Sequence, residues 1–128
     1  MADILKDIEK ELPKSVVSSA NFEGANIVIY TDSPNFFLEG EPQIKEIVNK
    51  IKKRIELRAE SKLLESAEKT EKIIREIIPA EAEITNLLFD QQRSIVVIES
   101  KKPGMVIGRD GSILREIKQK TFWIPQVQ

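Results

Sequence analysis

A chain of 128 residues, 41% hydrophobic and 32% charged, has room for one modest core or two small ones; it is not apolar enough for a membrane span and not polar enough to stay disordered. It contains no cysteine and no histidine, which removes disulfides, thiolate metal sites, thiol nucleophiles, the commonest general base and the commonest zinc ligand together, so no catalysis is expected in it. The net charge is −1, so any attraction to a polyanion has to be local; with no apolar run of about 18 residues and no secretory leader, a cytoplasmic protein free of membrane is expected.

Ile4, Leu5, Ile8 and Leu12 fall at helical spacing and Pro13 stops them. A strand-like stretch follows over Ser15–Phe22, then a turn at Gly24 and the β-rich run Asn26–Tyr30. After Ser33-Pro34-Asn-Phe-Phe-Leu38, the spacing of Ile44, Ile47, Val48, Ile51 and Ile55 predicts a helix from Pro42 to about Ile55. Lys50, Lys52, Lys53 and Arg54 gather toward its end, where cations suit the helix dipole, and a short strand over Glu56–Ala59 closes the unit.

The same series then starts again. Leu63, Leu64, Ile73, Ile74, Ile77 and Ile78 predict a helix ending at Pro79, followed by strands at Ala82–Phe89 and Ser94–Ile98 and a last strand within Phe122–Val127. Lys102–Ile107 aligns with Ser33–Leu38, and Ile113 and Ile117 each lie 69 residues after Ile44 and Val48. The expected architecture is α+β: two tandem units, 1–61 and 62–128, each a three-stranded sheet with helices packed on one face.

Three of the five glycines sit in Gly104-Met-Val-Ile-Gly108-Arg-Asp-Gly111, which joins a short helix to the helix beginning near Ser112. Glycine lets backbone N–H groups approach a phosphate, the following helix start adds unpaired donors, and Arg109 offers a fork of donors to a phosphodiester. The spacing fits neither a dinucleotide-binding fingerprint nor a Walker A loop. From Lys101 to Lys120 there are six basic and two acidic residues, a local charge of +4. Asp110 and Ser112 belong to the turn and are also candidate helix caps. Lys101, Lys102, Arg115 and Lys118 are candidate phosphate neighbours or simply solvated cations. Val106 and Ile107, with Met105, Ile113 and Ile117, are candidates either for the floor of a base groove or for core. Trp123 reads as packing before it reads as a base-stacking ring.

Val106-Ile-Gly-Arg-Asp-Gly-Ser-Ile113, after a strand and before a helix, resembles the signature of K homology (KH) domains, which hold about four single-stranded nucleotides beside such a loop. The order of elements resembles the type II variant. Ile77–Asn86, Lys101–Gly108 and Trp123-Ile-Pro-Gln-Val127 further resemble the N-terminal tandem KH region of archaeal cleavage and polyadenylation specificity factor homologues, β-CASP metallo-β-lactamase ribonucleases. The resemblance covers essentially the whole chain. It implies single-stranded RNA binding by Gly104, Val106, Ile107, Gly108, Arg109, Asp110, Gly111 and Ser112, with Lys101, Lys102, Arg115 and Lys118 alongside. It also implies a role in RNA 3′-end processing and transcription termination. The chain is then expected to be a piece ending at Gln128, with zinc and hydrolysis confined to C-terminal nuclease domains that are its partners; no cofactor is expected here.

In the first unit the matching positions are Glu39-Gly40-Glu41-Pro42. Two carboxylates stand where a phosphate would sit, and Pro42 removes a donor, so a mainly structural role is expected there, with a noncanonical nucleic-acid surface at Lys50, Lys52, Lys53 and Arg54 as the alternative to a simply solvated charge cluster. The alternative for the whole chain is a platform that docks on nuclease domains or a partner without touching RNA.

Overall fold

A computed structural model describes residues 4–12 and 16–128. The chain divides into two compact units, Met1–Leu63 and Leu64–Gln128, each with its own core.

The first unit runs α1 (Ile4–Glu11), β1 (Ser19–Glu23), β2 (Asn26–Thr31), α2 (Pro34–Glu39), α3 (Glu41–Ile51) and β3 (Ile55–Ala59). The sheet order is β1-β2-β3, with β1 antiparallel and β3 parallel to β2. A parallel neighbour needs a crossover, and α2 with α3 supplies it. Ile27 and Ile29 alternate toward the helices and join Ile8, Leu12, Phe36, Ile44 and Ile47 in the core. Each such side chain, when fully buried, contributes about 1.5–3 kcal/mol. Thr31 ends β2 with its hydroxyl accepting from Ser33 N, and Ser33 Oγ accepts from Phe36 N to cap α2.

Two expected boundaries move. The helix expected to reach Ile55 ends at Ile51, because Lys52 turns left-handed (φ 57°) and donates its N–H to Val48 O. Ile55 instead opens β3 beside Ile27. Lys50 is ion-paired to Glu11 at 3.1 Å, while Lys53 and Arg54 lie beyond the helix. The first strand is Ser19–Glu23, later than the stretch read from sequence; Pro13 and Ser15 lie outside the described residues.

The second unit runs α4 (Ala67–Ile77), β4 (Ile84–Asp90), β5 (Ile95–Ser100), α5 (Pro103–Ile107), α6 (Ser112–Thr121) and β6 (Ile124–Val127), with sheet order β4-β5-β6 and the same antiparallel and parallel pairing. β2 begins at Asn26 and β5 at Ile95, 69 residues later, and the starts of α2 and α5 and of β3 and β6 keep that separation. Leu63 and Leu64 are not part of α4: Ser66 caps that helix by accepting from Lys69 N at 3.2 Å, and Ser61–Leu63 is a 3-10 turn. β4 also starts later than expected, behind a 3-10 turn at Ala80–Ala82. Val96 and Ile98 on β5 pack with Ile74 on α4, Val106 on α5, Ile117 on α6 and Trp123. Trp123 is 3% exposed, donates Nε1–H to Glu65 O at 2.8 Å and meets Phe89 edge-on at 5.0 Å, so its ring is core. Among the described residues no helix is long and apolar enough to cross a membrane.

Candidate nucleic-acid interface

The glycine turn hangs from a firmly tied strand end. Ser100 Oγ, at the end of β5, donates to Ala82 O and accepts from Lys102 N, while the amides of Lys101 and Lys102 donate to Glu83 O and Ala82 O. Pro103 then begins α5 with its fixed φ, and after five residues Gly108 N donates to Gly104 O and ends the helix.

Three residues of the turn then demand unusual angles. Gly108 has φ 75° and ψ −179°, Asp110 has φ 54°, and Gly111 has φ 74°. Gly108 is in a region open essentially to glycine alone. Asp110 pays for the left-handed state, which aspartate tolerates better than most residues. Ser112 N donates to Arg109 O, Gly111 N approaches Gly108 O at 3.4 Å, and the Arg115 guanidinium reaches back to Asp110 O. Those bonds hold the turn closed while leaving the amides of Arg109 and Asp110, two exposed residues, without an acceptor among the described residues. Two adjacent unpaired N–H groups on a turn are suited to an anion.

Gly104 adds to this surface in a different way. It is exposed, its φ is ordinary, and a Cβ built on it meets nothing within 4 Å. The protein leaves the space above it open. Ile107, 38% exposed, borders the same turn as an apolar surface. The Arg109 side chain is exposed and makes no ion pair among the described residues. Lys101 and Lys102 are likewise exposed, with no ion pair among the described residues, and Lys118 is half-buried.

Three expectations need correction. Val106 is 0% exposed, packed between the sheet and α6, so it supports the turn from beneath and offers no surface to a base; Ile117 is equally enclosed. Asp110 does not cap α6, because a cap needs extended backbone at the position just before the helix. That position is Gly111, which has no side chain to cap with, and Ser112 is already the first helical residue. Arg115 is engaged on the Asp110 carbonyl, a turn-holding role that i to i+5 spacing does not advertise in a sequence.

The matching segment of the first unit is built otherwise. Gly40 has φ −81° and ψ −3°, its N–H donates to Phe36 O at 2.8 Å, and its carbonyl accepts from Ile44 N. α2 therefore runs into α3 through one residue, with no left-handed backbone, and exposes Glu39 and Glu41. No ready-made anion cradle exists there.

Fold and turn together define a tandem pair of KH units, with the glycine turn in the second. The comparisons agree: the family model described as the KH domain of transcription termination factor FttA matches residues 1–64, and a general KH domain model matches residues 69–122. The chain belongs to the FttA KH-domain family. It is 41% identical over 128 residues to the transcription termination factor FttA of Pyrococcus horikoshii, covering 99% of this chain and 20% of that protein. Against the protein of the same name from Methanothermobacter thermautotrophicus the figures are also 41%, 99% and 20%, and against that of Pyrococcus abyssi 43% over 129 residues, 97% and 20%. The chain thus spans about a fifth of the length of the curated relatives it matches.

Proposed function

We propose that the second unit binds single-stranded RNA at the Gly108–Gly111 turn and presents the strand to ribonuclease domains of a longer protein, in transcription termination and RNA 3′-end formation. The observation that carries this reading is the pair of backbone amides of two exposed residues, Arg109 and Asp110, with no acceptor among the described residues. A phosphate accepts from them, Arg109 covers it, and the open surface over Gly104 lets the sugar-phosphate chain pass close to α5. Ile107 supplies an apolar contact for a base, and Lys101, Lys102 and Lys118 supply diffuse attraction. The names of the relatives support the process, and the KH match supports the ligand class.

Hydrolysis belongs, in this reading, to the other domains. The chain has neither histidine nor cysteine, and among the described residues no group of three or more carboxylates is disposed to hold a metal ion. Its residues therefore do not fit a zinc site, and the zinc that the ribonuclease resemblance implies is assigned to the C-terminal nuclease domains.

Titration of short oligouridylates, followed by amide shifts from Gly108 to Ser112, tests the proposal. Arg109→Asp places a second carboxylate in the turn and should weaken binding about 10- to 100-fold, the loss of a charge-assisted hydrogen bond, with unchanged circular dichroism. Unchanged affinity would instead favour a platform that docks on protein.

A further inference from the structure

The connection from α3 to β3 differs in chemistry from its counterpart in the second unit. Between α6 and β6 stand Phe122 and Trp123, and Trp123 is buried in the core. Between α3 and β3 stand Lys52, Lys53 and Arg54, all exposed and none ion-paired among the described residues. At the separation of 69 residues, buried Thr121, half-buried Phe122 and buried Trp123 correspond to Lys52, Lys53 and Arg54.

Helix-dipole compensation accounts for Lys50, which is already paired with Glu11. It does not account for a concave surface beside the run. A cavity of about 330 Å³ is lined by Asn26, Val48, Arg54, Ile55 and Glu56, a volume at the lower end of small-ligand sites. Val48 and Ile55 give it apolar wall, and Asn26 has a side-chain amide with no partner among the described residues. Glu56 is the one carboxylate in the lining; Arg58 Nη2 holds it at 3.0 Å but also pairs with Glu23, so these three groups together leave one negative charge against the three cations. The cations are mounted on fixed backbone: Lys52 N donates to Val48 O at 2.8 Å, and Arg54 O accepts from Ile27 N at 2.9 Å.

We infer that this corner of the first unit is a second RNA contact, in which one nucleotide seats its base against Val48 and Ile55 with Asn26 at the base edge, while Lys52, Lys53 and Arg54 neutralise the flanking phosphates. The inference rests on the reading of the chain as an RNA-binding protein, but it uses neither the glycine turn nor its counterpart. The first unit is then cationic at the end of α3 opposite to its acidic Glu39–Glu41 elbow, and it touches the strand with that end. RNA is favoured over an acidic protein segment because the cavity sets the apolar side chains of Val48 and Ile55 beside an amide that can both donate and accept at a base edge.

The experiment uses the whole 128-residue chain, a twelve-residue oligouridylate and a variant carrying Lys52→Gln, Lys53→Gln and Arg54→Gln. Each phosphate neutralised contributes about −0.7 to the log–log salt slope of single-strand binding, through the counterions it releases. The glycine turn, with two or three phosphates, accounts for a slope of about −1.4 to −2, and the corner should add a similar amount. The triple variant is expected to lose that added slope and the amide shifts at Asn26, Lys52 and Ile55, while shifts at Gly108–Ser112 persist. Arg109→Asp should do the converse. Shifts confined to Gly108–Ser112 would overturn the second contact and leave the turn intact, whereas no shifts at either place would overturn both. If polyglutamate moves the amides of the corner and oligouridylate does not, the ligand assignment is wrong. Arg54→Gln alone, at an exposed side chain, guards against a folding defect in the triple variant and should give roughly a third of its slope change.

Discussion

Gly108 lies so close to Ile113 that a Cβ on the glycine would stand 2.7 Å from Ile113 Cγ1. Combined with a φ of 75°, this makes Gly108→Ala costly twice over, by strain and by contact, at about 2–3 kcal/mol. Gly104→Ala is the informative partner. It meets no atom and replaces a helical glycine, so stability should hold or rise by up to about 1 kcal/mol. If RNA passes over that surface, the methyl should nevertheless reduce affinity. Urea denaturation and oligouridylate titration on the two variants separate the roles; Gly104→Ala with undiminished affinity would place the strand elsewhere.

Gly40 is needed for a different reason. Its backbone is ordinary helix, yet a Cβ there would collide with the Phe36 carbonyl oxygen and sit 2.8 Å from the Phe36 ring. Gly40→Ala should therefore destabilise the first unit by about 1–3 kcal/mol. The amide shifts that RNA produces at Gly108–Ser112 should be unaltered. Loss of those shifts at temperatures where the second unit remains folded would contradict the division of labour proposed for the two turns.

The single tryptophan reports on the same division. Trp123 is enclosed, so its emission should be blue-shifted and should show no stacking quench when oligouridylate is added. Trp123→Ala should cost about 3–5 kcal/mol, with the loss of the Glu65 hydrogen bond included. Strong quenching by RNA would show that the ring reaches a base.

Much of this was legible in the sequence because the repeat has strong punctuation. Pro34 and Pro103 each open a short helix, and the runs Asn26–Tyr30 and Ser94–Ile98 sit at the same place in each unit. Helix ends were less legible, since apolar spacing does not stop where hydrogen bonding does. Ile55 falls four residues after Ile51 and so continues the helical stripe, but a left-handed Lys52 has already ended α3. Leu63 and Leu64 extend the apolar pattern upstream of α4 in the same way, and the Ser66 cap overrides them. In α5, Val106 and Ile107 are adjacent residues of the same kind with 0% and 38% exposure. Which of them faces inward depends on the rotation of a five-residue helix, and that is set by its packing on β5 and α6. Arg115 and Asp110 meet only once Asp110 and Gly111 have both turned left-handed.

Arg58, on β3, is 3% exposed, and its guanidinium donates to both carboxylate oxygens of Glu23 at 2.6 and 3.1 Å, to Glu56 at 3.0 Å and to the Tyr30 hydroxyl at 3.1 Å. Burial works against the charge, but the hydrogen bonds to Glu23, Glu56 and Tyr30 outweigh it and hold the group above its ordinary range, so it is charged at every working pH. Of the Arg58 nitrogens, Nε alone is buried without a partner among the described residues. Lysine keeps the charge but has no planar fork, so Arg58→Lys cannot bond Glu23 twice and reach Glu56 and Tyr30 as well. Arg58→Met keeps the volume and removes every bond, leaving the two half-exposed carboxylates facing one another. The methionine variant should lose about 2–3 kcal/mol, since its carboxylates can rehydrate, and the lysine variant a smaller amount. Urea midpoints monitored at first-unit amides give the order. A lysine variant as stable as the original chain would mean that charge alone, without the fork, ties β1, β2 and β3 together.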